Sequence, residues 1–265
     1  SIFESKLFEV YDRRDRLISV EKNNFDVTLD TKKGCTIKKL YSSKHGISLI
    51  GNIEHGFFDE ISYAFDYYSG HSIIERLGER KITDLTSNKV EIFESNEVTS
   101  VINYSEDSGN IINSKITISN EHIIVQKKIA MPMRNAAVIY PFIFTFVPDS
   151  WDKRSLFFST HNGGERLEKF SLNESLDHTV KVSYLISGAS ALGNTNGTLI
   201  VGDKNKSIKF QLSLTKSFLI PSISFINIDN SFLLRVSYSA QELDETFRSD
   251  PNPEIIDSEI EISIH

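Results

Sequence analysis

A single cysteine in 265 residues, Cys35, excludes an internal disulfide framework and any metal site built from several cysteines. The spacings that hold zinc are missing too: there is no His-Glu-x-x-His helix and no close histidine pair. No Gly-x-Gly-x-x-Gly or Gly-Lys-Ser/Thr cradle for phosphate occurs. The Gly-x-Ser-x-Gly elbow of serine hydrolases is also absent, since Ser187-Gly188-Ala189-Ser190-Ala191 is merely small. No cofactor and no metal are therefore expected. Long apolar runs are lacking; the best candidate, residues 136–147, is too short to cross a bilayer and contains Pro141. A basic excess is lacking as well. The formal net charge is −7 with the acids scattered, which argues against a nucleic-acid partner that would need a cationic face. The chain opens on Ser1-Ile2-Phe3-Glu4 with no basic n-region or apolar h-region, so a cytoplasmic location is the expectation.

What is present is ordinary globular composition, 39% hydrophobic and 25% charged, in a chain long enough to bury a core without staples. Period-two patterning dominates. Phe25-Asp26-Val27-Thr28-Leu29-Asp30 alternates, Thr31-Lys32-Lys33-Gly34 supplies turn chemistry, and Cys35-Thr36-Ile37-Lys38-Lys39-Leu40 alternates again. The same grammar predicts strands over 89–93, 98–104, 112–118, 123–129, 137–147, 155–159, 179–186, 198–201, 207–214, 222–228 and 232–238. Short turns between them require antiparallel pairing. Helical signal is weak: one short amphipathic helix over 6–18 and another turn or two over 240–247. With no internal repeat and no proline- or glycine-rich linker, the reading is an all-β fold. It comprises a helical lead-in over 1–24 and one large antiparallel β-sandwich domain over 25–265.

Two stretches carry candidate chemistry. His55-Gly56-Phe57-Phe58-Asp59-Glu60 leads into Tyr63-Ala64-Phe65-Asp66-Tyr67-Tyr68-Ser69-Gly70-His71, where aromatics interleave with acids between histidines. Aromatic faces stack on sugar rings while carboxylates and imidazoles exchange hydrogen bonds with hydroxyls. The alternative is a large loop whose aromatics fill the core. The second stretch, His161-Asn162-Gly163-Gly164-Glu165, ends a strand; its glycines permit a sharp bend and close approach of a ligand. It is either the rim of a site, with His161 and Glu165 as acid and base, or a plain turn. Asp59, Glu60 and Asp66 offer oxygen ligands to a hard cation, but without a calcium-loop pattern a solvated acidic rim accounts for them better. Trp151 is either a ligand platform or a core residue.

Four separated stretches together resemble one family. Residues 25–40 (FDVTLDTKKGCTIKKL) resemble the opening strand–turn–glycine–strand of the galactose mutarotase-like β-supersandwich. That opening also begins the C-terminal domain of α-mannosidases and of family 57 glycoside hydrolases. His161-Asn162-Gly163-Gly164-Glu165 with Phe170 is similar to that domain's strand-end motif. Residues 190–203 (SALGNTNGTLIVGD) and 233–246 (LLRVSYSAQELDET) resemble its later strands, in family order. The resemblance implies a supersandwich that recognises an oligosaccharide or monosaccharide on its concave face. It would be related to glycoside hydrolase accessory domains and carry no hydrolytic machinery of its own. In mutarotases two histidines and a glutamate on that face move protons. The resemblance therefore also admits an aldose 1-epimerase-like enzyme using His161 and Glu165 as catalytic residues. A third possibility is a structural domain docking to a hydrolase catalytic subunit. Residues expected to bind sugar are His55, Asp59, Asp66, Tyr67, Tyr68, His71 and Asn162, with Tyr67 and His161 expected to face a common hollow.

Overall fold

A computed structural model describes residues 6–9, 16–76, 78–132, 137–173, 194–217, 219–240 and 254–265. The described chain is built from antiparallel strands: β1 (Lys6–Glu9), β2 (Leu17–Glu21), β3 (Phe25–Asp30), β4 (Thr36–Ser42), β5 (Ile47–Gly51), β6 (His71–Arg76) and β7 (Ile82–Thr83). There follow β8 (Lys89–Glu94), β9 (Thr99–Asp107), β10 (Asn110–Ile118), β11 (Ile123–Met131), β12 (Ala137–Thr145), β13 (Leu156–Asn162) and β14 (Leu167–Ser171). The last are β15 (Asn194–Asp203), β16 (Ile208–Lys216), β17 (Ile220–Ile228), β18 (Ser231–Ser239) and β19 (Glu254–Ile264).

A ten-stranded sheet runs β1-β8-β9-β10-β11-β19-β16-β15-β13-β14, a five-stranded sheet β17-β18-β12-β6-β7, and a four-stranded sheet β2-β3-β4-β5. Alternation builds the core. In β9, β10 and β11 every second side chain is buried, and pairing lines these residues up into rows. Val101, Ile116, Val125 and Ile260 form one row across four strands. They pack in the same cluster as Phe142, Phe144, Ile223, Phe225, Leu234 and Val236 of the five-stranded sheet. Such apolar rows facing each other across two sheets are the dominant stabilising term of a sandwich.

One row of that core is polar. Asn103, Ser114, Lys127 and Ser258 lie side by side across β9, β10, β11 and β19, between the main apolar cluster and a smaller one containing Ile74, Ile112, Ile129 and Ile256. Asp84, just after β7, meets the row as an ion pair with Lys127, both side chains 1% exposed. Asp84 also accepts from the Ser72 backbone N–H at 2.7 Å and the Ser114 hydroxyl at 2.9 Å. Burial pushes the Asp84 carboxyl up, but the Lys127 ammonium and these donors outweigh it and hold it below its usual range. The pair fastens the β6–β7 end of one sheet to the middle of the other. Close by, Gly34 takes φ +66°, and a Cβ there would fall 1.7 Å from the Asp84 carbonyl oxygen, so no other residue fits.

The helix expected over 6–18 is not there among the described residues. Lys6–Glu9 pairs with β8 and Leu17–Glu21 with β3. Leu17-Ile18-Ser19-Val20-Glu21 is better read as alternation, and the β3 edge offers it backbone partners that an isolated short helix lacks. The strand expected over 179–186 lies outside the described residues, as does most of the stretch expected over 240–247. Trp151 is a core residue: its ring packs edge-on against Phe146 and its indole N–H donates to the Leu49 carbonyl at 3.1 Å.

Candidate functional site

The five-stranded sheet has two unlike faces. Ile223 and Phe225 of β17 and Leu234, Val236 and Tyr238 of β18 face the core, so Ser222, Ser224, Arg235, Ser237 and Ser239 face away from it. Register sets them in contact: Ser222 opposes Ser237, Ser224 opposes Arg235, Ile143 of β12 opposes Ser237, and His71 of β6 opposes Ile143. A face turned from the core is ordinarily wet. Here Ser222 is 0%, Ser224 2%, Ser239 1% and His71 7% exposed. Among the described residues the hydroxyls of Ser222, Ser224 and Ser239 and the Nδ1 of His71 find no hydrogen-bond partner, and neither do the side chains of Asn103 and Ser258 in the polar core row. Burying an unsatisfied hydroxyl costs about 1–3 kcal/mol, so several on one face require an explanation.

The aromatic-acidic loop between β5 and β6 closes over one end of this face. Ile53 pairs with Tyr67, and Phe58, Tyr63 and Tyr67 pack on Ile226, Ile228 and Leu233. Beyond that plug, the Arg235 guanidinium lies 5.3 Å from the Tyr67 ring centre, and the Tyr68 ring meets His71 edge-on at 5.9 Å. Thus Tyr67, Tyr68 and His71, three of the expected ligand residues, converge on the serine face. Burial drives the His71 imidazole down to about 4 against the opposing pull of Asp84, so it is neutral at neutral pH.

His55 and Asp66 sit on another side of the same loop. They help line an open cavity of about 370 Å³ that Tyr68 also lines. The His55 backbone N–H donates to Asp66 Oδ1 at 2.8 Å, fixing the cavity mouth. Three cations, Arg16, Lys33 and Lys38, balance three acids, Asp30, Glu54 and Asp66, around it. Arg16 holds Asp30 in a forked bond at 2.9–3.3 Å, Lys38 meets Glu54 at 3.2 Å, and Lys33 Nζ stands 5.5 Å over the Tyr68 ring. Asp59 is exposed and joins neither feature.

His161, Asn162 and Glu165 belong to the β13–β14 hairpin at the far edge of the ten-stranded sheet. Gly163 takes φ +85° and donates its N–H to Thr195 Oγ1 at 3.1 Å, and His161 Nδ1 lies 3.2 Å from the Gly164 carbonyl. These bonds close a turn on itself. Among the described residues no hydrogen bond, ion pair or ring contact joins His161, Asn162 or Glu165 to the loop or the serine face, so the expected meeting of Tyr67 and His161 is not seen there. No cluster of three or more His, Cys, Asp or Glu among the described residues suits a metal ion.

Sequence reasoning missed the serines and Arg235. Their signal was the polar half of the alternation in Pro221-Ser222-Ile223-Ser224-Phe225, which looks like a solvated strand face until pairing reveals burial.

No protein-family model matches the sequence, and no curated protein is similar to it in sequence. Solved structures are. A galactose mutarotase-like protein from Clostridium acetobutylicum superimposes with TM-score 0.56 at 8% identity, covering 98% of each chain. The fold is galactose mutarotase-like. A GH36 α-galactosidase from Geobacillus stearothermophilus gives TM-score 0.56 at 9% identity, covering 97% of this chain and 41% of that one. A TPR-domain containing protein from Parabacteroides distasonis gives TM-score 0.58 at 9% identity, covering 93% of this chain and 47% of that one. At such identities the likeness concerns the mutarotase-like fold alone, and residue roles must come from this chain's own side chains.

Proposed function

We propose that the protein binds carbohydrate on the serine face of the five-stranded sheet, with Tyr67, Tyr68 and His71 at its border. The observation that carries this reading is the set of buried hydroxyls at Ser222, Ser224 and Ser239, without a partner among the described residues, on the face that Tyr67, Tyr68 and His71 border. Because they are closed off from solvent, a sugar reaches them only if what covers the face moves aside. A sugar hydroxyl both donates and accepts, so it satisfies a serine and a neutral imidazole alike, while tyrosine rings suit its C–H faces. The neighbours named for galactose mutarotase and α-galactosidase make galactose the first probe. The finer likeness to accessory domains of α-mannosidases and family 57 hydrolases rests on the four sequence stretches alone.

Binding is favoured over an epimerase reaction by the state of His71. With its imidazole driven down to about 4, it has no proton to donate at neutral pH, and His161 and Glu165 lie in a separate turn. Isothermal titration with galactose is expected to show binding that Ser224→Ala weakens at least about ten-fold, the scale of one lost hydrogen bond in a buried site. Polarimetry on freshly dissolved galactose is expected to show no acceleration of mutarotation. Absence of binding to galactose and to a broad glycan panel refutes the proposal.

A further inference from the structure

We infer that the open cavity on the far side of Tyr68 is a second sugar subsite, so that the ligand is at least a disaccharide with its flanking unit in the cavity. This rests on the carbohydrate reading of the serine face and extends it. Tyr68 is the shared wall: its ring meets His71 at 5.9 Å on the serine side and lines the cavity beside Lys33 on the other. The cavity is open and, at about 370 Å³, roomy enough for one hexose ring.

Its chemistry selects the class of unit. Asp30 is consumed by Arg16 and by the Lys32 N–H, so it forms wall and not binding surface. Lys33 makes no ion pair among the described residues, the exposed Glu54 spends Oε1 on Lys38 at 3.2 Å and keeps Oε2, and Asp66 spends one oxygen on the His55 N–H. The groups left facing the cavity are therefore carboxylate acceptors, one ammonium donor, an imidazole and a tyrosine. Adjacent hydroxyls of a pyranose donate to carboxylates and accept from lysine simultaneously, whereas the three-against-three charge balance gives no net attraction to an anion or cation. The structure therefore assigns the cavity to an uncharged, hydroxyl-rich sugar unit.

Titration calorimetry with galactose, melibiose and lactose tests the assignment, using the full chain and two variants, Lys33→Met and Glu54→Gln. In the wild type at least one disaccharide is expected to bind about ten-fold or more tightly than galactose. Each variant is expected to remove most of that gain, leave galactose affinity unchanged, and unfold at the wild-type temperature. Equal affinity for galactose and both disaccharides overturns the second subsite while leaving the serine-face reading intact. Equal loss of galactose and disaccharide binding in the variants also overturns it. If no sugar binds, both fall together.

Discussion

Replacing the buried serines by alanine should stabilise the free protein, which is the opposite of what removing hydrogen-bonding groups usually does. Ser222 and Ser224 are buried with hydroxyls that have no partner, and each such group costs about 1–3 kcal/mol relative to its solvated state. Deleting an oxygen leaves a small void. At roughly 24 cal/mol per Å³ and about 15 Å³ for a hydroxyl, this costs about 0.4 kcal/mol. The balance is a gain of about 1 kcal/mol per site, or about 2 kcal/mol for Ser222→Ala with Ser224→Ala. The two are strand neighbours, so some departure from additivity is expected. For a chain of this size that is a rise in Tm of about 4 °C or more. Urea denaturation followed by Trp151 fluorescence and by circular dichroism provides the assay, Trp151 being the single tryptophan and buried. Saturating galactose should reverse the order. At about a hundred times Kd the wild type gains about 2.7 kcal/mol by linkage, and the double variant gains little. If each single alanine variant instead loses more than about 1 kcal/mol without ligand, the hydroxyls are structural and the reasoning fails.

The remaining predictions concern the frame around that face. Lys127→Met strands the Asp84 carboxylate among buried groups and should cost about 3–5 kcal/mol in urea denaturation. Adding Asp84→Asn should recover much of it, and a loss below about 1 kcal/mol contradicts the buried pair. Because His71 is held near 4 in the fold against about 6.5 when unfolded, the unfolded chain takes up its proton first as pH falls. Stability is therefore full above pH 6.5 and declines toward pH 4 by up to about 3 kcal/mol. His71→Asn should flatten that window, whereas the Asp84 contribution is lost only below its ordinary value of 3.8. Gly34→Ala should cost at least about 3 kcal/mol or prevent folding, because its Cβ strikes the Asp84 carbonyl; a near-neutral thermal shift contradicts the close approach. His161→Ala should leave galactose titration unchanged, since the hairpin turn touches neither site.

Much of the fold was legible because one physical rule wrote it. Where a strand buries one face, as in β9, β10 and β11, alternation is enforced residue by residue and the sequence displays it. Strand β19 obeys the same rule, with Ile256, Ile260 and Ile262 buried, yet its outward acids disguise it. Its place beside β11 is set by pairing across more than a hundred residues of chain, and its other edge pairs with β16. The aromatic loop was legible by composition, and it does bring Tyr67, Tyr68 and His71 to the serine face. The serine face was not, because small polar residues in alternation signify water, and their burial is visible only in the folded chain. The double-glycine stretch was legible as a bend: it closes the β13–β14 hairpin, where Gly163 takes φ +85°.

The same alternation that builds the core thus also builds the site, and it limits what the site can do. A strand offers an outward side chain every second position, so neighbouring strands present a lattice of groups about 5 Å apart across strands and about 7 Å apart along them. On this lattice the chain has set serines, which neither take nor release protons near neutrality, the Arg235 guanidinium, and one histidine whose burial keeps it neutral. Groups of this kind can match a polar ligand hydroxyl by hydroxyl. A histidine held near 4 has no proton to give at neutral pH, and that is the step on which the proposed reading as recognition turns. At 8–9% identity the shared fold assigns no residue roles, so the proposed recognition has to be argued from the side chains on this one face and not from the strands beneath them.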